Sequence, residues 1–558
     1  MGMYNLLVGG AAGQGVESLV SALEYFFKQD GSEVFTMRDL MSRIRGGHNF
    51  SRIRFGAGVP KAHSERLDGI IALNEETAAF HREALSPKGF ILMDSAIKSD
   101  DPRAVRIDMA KIAKSLGNAK AAGSVAVGAA LKLFRVALDE ASAAEVFGRV
   151  LRPEHVDMNV KAALKGYESV PERYKIPAGN ARDMMMLSGN RAIALGALAA
   201  GVQFYAAYPM SPSTSILESL AQWAEEAGIV VEQAEDEIAA INMALGASYA
   251  GTRAMTGTSG GGFSLMVEAL GFAGMAEIPV VVVDAQRPGP ATGLPTRTEQ
   301  SDLKFIISAA QGEFPRMVIA VRHHADAFYQ TIRAVNLAEK YQIPVVLLTD
   351  QYLADATATI PMLDPAAYPR HEQAQVPEEG EYARYRFTES GISPRRLPGD
   401  KDALVNVDSD EHDERGHIIE DSETRVRMME KRMGKLKLLE KDLQEPDWLG
   451  DEQAHITLVG WGSMYGPLQE AVDLLNQEGN KRYGALVFGD IWPLPKERLK
   501  QAAAKGEAII NVEQNYTGQL AGLIREETGI EMSTSILRYD GRQMTGEEIA
   551  QRVKKEGF

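Results

Sequence analysis

The chain has 558 residues, no cysteine, and 76 acidic against 60 basic residues, a net charge of −16. The missing cysteine excludes disulfides, a thiol nucleophile, thiolate zinc sites and a cysteine-ligated iron–sulfur cluster within this chain. The acidity argues against binding to nucleic acid, and at ~150 residues per domain the length predicts three or four domains.

Residues 1–185 alternate short apolar runs with helical patterns. Tyr4–Val8, Val34–Thr36, Gly69–Leu73 and Phe90–Met93 read as buried strands, with a helix over Val16–Phe27. This predicts an α/β domain with a mainly parallel sheet. The first strand runs into Gly9-Gly10-Ala11-Ala12-Gly13-Gln14-Gly15 and then the helix. Glycines let the backbone approach an anion, and the helix start offers free N–H groups. Spacing alone fits a phosphate-bearing ligand and a plain strand-to-helix turn equally. The order is not the dinucleotide fingerprint, and no acidic residue ends the next strand, so an NAD-dependent dehydrogenase is disfavoured. A second segment, Ser42-Arg43-Ile44-Arg45-Gly46-Gly47-His48-Asn49, reads as a diphosphate clamp or as a solvated turn, the turn being favoured on spacing.

Residues 186–365 repeat the α/β theme. Strands are predicted at Phe204–Tyr208, Ile229–Glu232, Arg253–Gly257, Pro279–Asp284, Met317–Val321 and Pro344–Thr349. The apolar stretch from Ala192 to Tyr208 reads as a buried helix followed by a strand, not a membrane span. With no basic region opening the chain, a cytoplasmic location is expected. In Tyr208-Pro209-Met210-Ser211-Pro212, Ser211 is placed to cap a helix and also lies where open sheets bind ligands. Glu237 abuts a very apolar helix; it serves the helix dipole or is a buried carboxyl of raised pKa. The triple glycine at 260–262 permits close contact with a flat ring or a phosphate, and Arg287, among glycines and prolines at a strand end, suits a carboxylate.

Residues 366–451 are rich in charge and proline and read as a linker, with an acidic loop at Val405–Glu420 and an exposed helix over Asp421–Leu443. Residues 452–558 form a smaller α/β unit. Its strands are Ile456–Val459, Ala485–Phe488 and Ala508–Val512, and its helices lie in Gly462–Gly479 and Gly518–Thr528.

Taken together, YPMSPST, the Glu237 helix, TGTSGGGFSLM and AQRPGPATGLPTRTEQSDL resemble the pyrimidine-binding domain of the thiamine diphosphate-dependent 2-oxoacid:ferredoxin oxidoreductases. GGAAGQGV and SRIRGGHN resemble that family's gamma domain, fused here upstream of the alpha domain. GWGSMYGPLQEA, FGDIWPLP and VEQNYTGQLAGLIR resemble its transketolase C-terminal-like domain. Gly391-Ile392-Ser393-Pro394-Arg395 and Glu411-His412-Asp413-Glu414 are similar to the 2-oxoglutarate type of alpha subunit, the 2-oxoglutarate synthases. The resemblance implies three parallel-sheet α/β domains with a charged linker.

It also implies roles. Glu237 would hydrogen-bond N1′ of the aminopyrimidine, with Tyr208, Pro209 and Gly260 around the thiamine. Arg287 would hold the substrate carboxylate, helped by Ser211 and Thr292. Ser211 stands where the family has Thr, so the hydroxyl is kept and a methyl is lost. Gly13, Gly15, Arg45 and Gly46 would surround the phosphates of coenzyme A. The chain has no GDG…N motif for Mg²⁺ and the diphosphate, since Gly489-Asp490 continues as Ile-Trp. That motif and the [4Fe–4S] cluster would come from a separate beta subunit, with no metal in this chain. The implied assembly is a dimer of alpha–beta heterodimers that passes electrons to ferredoxin, touching neither nucleic acid nor membrane. Pyruvate or a branched-chain 2-oxoacid is the alternative substrate, and a non-catalytic nucleotide-binding scaffold is the alternative of another class.

Overall fold

The structure is a computed structural model that describes residues 2–41, 46–177, 179–371, 382–401, 403–479 and 482–558. It divides into two units, Met1–Leu187 with Asp355–Met362, and Ser188–Ala354 with Leu363–Phe558.

In the first unit the strand Met3–Ala12 lies mid-sheet, because Leu6, Leu7 and Val8 are buried in succession. On one side Leu67–Ala72, Leu85–Asp94 and Ala104–Ile107 follow in parallel. On the other side the sheet turns antiparallel through Gly46–Gly56, Glu33–Asp39 and Thr357–Ile360. The predicted strands are present, and the sheet is half antiparallel where a mainly parallel one was expected. The reason lies in Ser51-Arg52-Ile53-Arg54-Phe55, whose alternation makes a half-buried strand that reaches back to Gly46, into the stretch favoured as a turn. Strand Glu33–Asp39 runs past Arg38, so an acidic residue, Asp39, does end it, contrary to the sequence reading. Helix Val16–Gln29 covers the sheet through Leu19, Leu23, Phe26 and Phe27, and Phe27 stacks on Phe55 with ring centres 3.7 Å apart.

The second unit is built on two sheets. The larger runs Met317–Ala320, Pro344–Asp350, Val280–Gln286, Ala254–Thr258, Phe204–Ala207 and Val230–Gln233, all parallel. Uninterrupted valines suit Val280–Gln286, which is buried along its whole length. The smaller sheet holds Tyr483–Phe488, Ile456–Trp461, Ala508–Glu513 and Thr534–Leu537 in parallel, with Asp447–Gly450 antiparallel at its edge. Asp490–Trp492 leaves the smaller sheet's sequence and pairs antiparallel with Met317–Ala320. Arg333 fixes that junction by two hydrogen bonds to buried Asp490, at 2.5 and 2.7 Å. Val282 and Leu348 share one core with Trp461, Phe488 and Leu520, so the larger-sheet and smaller-sheet segments of this unit pack as a single body.

Two readings need correction here. Helix Ser422–Leu439 is not an exposed connector: Met428, Lys431, Arg432 and Lys435 are buried. Lys431 and Lys435 each reach an oxygen of buried Glu277 at 2.5 Å. Secondly, Ser211 does not cap a helix. The helix starts at Thr214, after Ser213, and makes no side-chain cap bond. Ser213 instead donates to Met210 O at 2.8 Å. The stretch from Ala192 does become helix Gly189–Ala199 and strand Phe204–Ala207, and among the described residues no helix is long and apolar enough to cross a membrane.

Candidate functional site

Polar groups gather at the carboxyl ends of Phe204–Ala207, Ala254–Thr258 and Val280–Gln286 in the larger sheet of the second unit, where open parallel sheets place ligands. Glu237 begins helix Glu237–Tyr249, whose cap is Asp236 accepting from Ala239 N at 2.8 Å. Asp236 thus serves the helix end and leaves Glu237 for another task. Glu237 is 3% exposed and its Oε1 has no hydrogen-bond partner.

The neighbouring helix, Gly260–Met275, presents its first turn to that carboxyl. A Cβ at Gly262 would lie 2.5 Å from Glu237 Oε1 and 2.1 Å from Thr258 Oγ1. A Cβ at Gly260 would lie 2.4 Å from Asp302 Oδ2. Glycine at 260 and 262 therefore lets both carboxyls pack directly against the first turn of this helix. Buried Thr258 contacts Met210 Sδ at 3.8 Å, which ties the segment after Ala207 to this turn. Tyr208 is 41% exposed, Pro209 is partly buried, and Ser211 is exposed.

Arg287 follows the central strand and is partly buried, and burial lowers its pKa. Its Nη1 donates to Ser211 O at 2.7 Å, so these two candidates are joined through the backbone of Ser211. Thr292 is exposed on the loop beyond, which Leu294 N closes onto Pro288 O at 3.1 Å. Two acids went unread in the sequence. Asp284 is wholly buried with both oxygens unpartnered, and burial followed by Asp302 raises its pKa well above the carboxylate range. Burial and then Glu299 push Asp302 up to about 6, against the opposing Arg287. An aspartate closing a run of four valines was the available signal for Asp284.

A buried carboxyl with an unpartnered acceptor oxygen can orient a flat, hydrogen-bonding ring, and a strand-end arginine can hold an anionic substrate. The donor set suits the aminopyrimidine of thiamine diphosphate, since Glu237 Oε1 lacks a donor. No three His, Asp or Glu side chains converge on a metal position among the described residues.

In the first unit, Gly13 and Gly15 take the left-handed backbone that makes the turn before helix Val16–Gln29, with φ of 92° and 79°. Gln14 braces it, accepting from Ala11 N at 2.6 Å. Gly46 belongs to a strand that pairs with this turn, in register with Ala12. Arg45 lies outside the described residues. Beside the turn is a cavity of about 320 Å³ reached by Gln14, Ser18, Asn118, Lys120 and His155.

Three stretches of the chain match known families. Residues 195–431 match the family described as pyruvate flavodoxin/ferredoxin oxidoreductase, thiamine diphosphate-binding. Residues 5–169 match pyruvate ferredoxin/flavodoxin oxidoreductase, and 454–549 match pyruvate:ferredoxin oxidoreductase core domain II. The 2-oxoacid:ferredoxin oxidoreductase subunit alpha of Sulfolobus sp is 33% identical over 98% of this chain and 96% of its own. The 2-oxoglutarate synthase subunit KorA of Methanothermobacter thermautotrophicus is 32% identical over 66% of this chain and 98% of its own. A solved structure described as 2-oxoglutarate:ferredoxin oxidoreductase from Magnetococcus marinus with 2-oxoglutarate, coenzyme A and succinyl-CoA bound superimposes with a TM-score of 0.93. It is 32% identical, and each chain is covered completely.

Proposed function

Because this chain belongs to the 2-oxoacid:ferredoxin oxidoreductase family as an alpha subunit, we propose that it acts on 2-oxoglutarate. The reaction is 2-oxoglutarate with coenzyme A and oxidised ferredoxin giving succinyl-CoA, carbon dioxide and reduced ferredoxin. Thiamine diphosphate, when bound, supplies the nucleophilic carbon and the electron sink that this decarboxylation needs. The observation that carries the reading is Glu237: a buried carboxyl with an unpartnered oxygen, packed against a helix turn so closely that only glycine fits at 262.

Glu237 holds a proton at N1′ of the pyrimidine, and Tyr208, Pro209 and Gly260 border the ring. Arg287 holds the substrate carboxylate by charge-assisted hydrogen bonds, with the hydroxyls of Ser211 and Thr292 at the same mouth. Two names support 2-oxoglutarate over pyruvate or a branched-chain acid: the synthase subunit and the solved oxidoreductase. The cavity beside Gly13 and Gly15 supports a coenzyme A contact there, with Lys120 available for a phosphate. Arg45 and Gly46 extend that reading.

A beta subunit completes the site with Mg²⁺, the diphosphate anchor and the [4Fe–4S] cluster, in a dimer of heterodimers. Exposed Val230, Ile238, Met243 and Leu265, on the edge strand and the two helices around Glu237, support a covering partner. The test is co-expression with that partner and CoA-dependent viologen reduction by several 2-oxoacids. Fastest turnover of 2-oxoglutarate is expected; a preference for pyruvate removes the substrate, and no activity with any 2-oxoacid removes the reading. Glu237→Gln should lower kcat by about 10²–10⁴-fold with assembly intact.

A further inference from the structure

Asp284 and Asp302 have no role in the reading above, yet the fold brings them to the same place. Asp284 sits on strand Val280–Gln286, its carboxyl wholly buried and both oxygens without a donor. Asp302 precedes helix Leu303–Ser308 without capping it, and its Oδ2 is buried and unpartnered. Gln286 fastens the two segments together. Its Oε1 accepts from Asp302 N at 3.1 Å while its Nε2 donates to Thr349 O at 3.2 Å. Gly260 supplies the space for the Asp302 carboxyl, since a Cβ there would lie 2.4 Å from Oδ2. Arg287 leaves the end of the same strand and feels Asp302 and Asp284 electrostatically.

Two carboxylates in a shared, water-poor site repel each other and lack donors for their charge. Keeping a proton on the pair relieves both costs. Any charge left on it competes with an external anion for Arg287. The charged groups that act on this pair are Arg287 and Glu299 from the preceding loop, with Glu237 one glycine turn away.

We propose that Asp284 and Asp302 are positioning residues that, by gaining or losing a proton, set how tightly Arg287 beside them on the strand end grips a substrate carboxylate. This rests on reading Arg287 as the carboxylate clamp. With both acids neutral, the charge of Arg287 is uncompensated and the substrate binds best. With Asp302 ionised, an internal carboxylate claims part of that charge. Burial and Glu299 raise Asp302 to about 6, so the change falls where 2-oxoacids are already fully ionised and contribute no titration of their own.

The test uses the complex with its beta partner. KM for 2-oxoglutarate is measured from about pH 5.5 to about pH 7.5, with a rise of roughly 3- to 10-fold expected as Asp302 ionises, and kcat moving less. Asp302→Asn should hold KM near its low-pH value throughout, with near-normal kcat. A pH-difference infrared spectrum should show a protonated carboxyl band that Asp302→Asn removes, independently of turnover. A flat wild-type KM, or an Asp302→Asn profile that follows the wild type, overturns the proposal. Arg287→Ala separates the two failures: if its KM is unchanged, the carboxylate clamp itself is wrong, and if its KM rises while the Asp302 profile stays flat, only the acid pair is.

Discussion

One methyl group at position 262 tests the candidate site. Gly262 lies inside helix Gly260–Met275 without a left-handed φ, so alanine there suits the helix and favours it by ~1 kcal/mol. Its Cβ would nonetheless lie 2.5 Å from Glu237 Oε1 and 2.1 Å from Thr258 Oγ1, so both side chains must shift. Gly262→Ala should therefore fold with a melting temperature near that of the parent while the apparent Kd for thiamine diphosphate, titrated into the depleted complex, rises at least ~10-fold as the Glu237 carboxyl is displaced. An unchanged Kd would falsify the assignment of Glu237 to the pyrimidine. Residue types at the site were legible where glycine or a strand-end arginine betrayed them, as at 260–262 and Arg287. Asp302 was not, because its environment is made by Gly260 and Gln286, both distant in sequence.

Elements were read best where hydrophobic period decides them. Val280–Gln286 and Pro344–Asp350 announce themselves as valine- and leucine-rich runs, and their parallel register follows. Thr357–Ile360 is too short to declare its sheet, and it joins the first unit through residues far away, Thr36 and Phe35. Helix Ser422–Leu439 fails for another reason: lysine spacing describes a solvated face equally well, and only the distant Glu277 makes it a buried one. That carboxyl is held well below the usual range by Lys431, Lys435 and Arg384, against its burial. Burial pulls Lys435 down to about 8. Glu277→Ala would leave two cations inside without a counter-charge, and should cost about 3–5 kcal/mol in urea unfolding. Replacing Glu277, Lys431 and Lys435 together by apolar residues of similar size should recover most of that loss. If the single variant is as stable as the parent, the ion trio does not hold this helix.

The chain belongs to a family of oxidoreductases and has no cysteine to ligate an iron–sulfur cluster. Under the proposed function, electrons released at the site leave through another chain. On that reading, exposed Val230 on the edge strand and Ile238 and Met243 on the next helix offer the face it would cover. A net charge of −16 opposes self-association of this subunit, and leaves that face to a partner whose surface is less acidic. Two outcomes follow for the purified chain. Anaerobic incubation with iron and sulfide should leave it without a reducible paramagnetic signal, and 2-oxoglutarate with coenzyme A and thiamine diphosphate should reduce no viologen. Adding the beta subunit should restore both signal and turnover, in proportion to beta and saturating at equal amounts of the two chains. Association should tighten in salt if like charges dominate the encounter, and loosen if a basic patch on the partner meets this acidic surface. A cluster signal or viologen reduction from the chain alone would overturn the division of labour between the subunits.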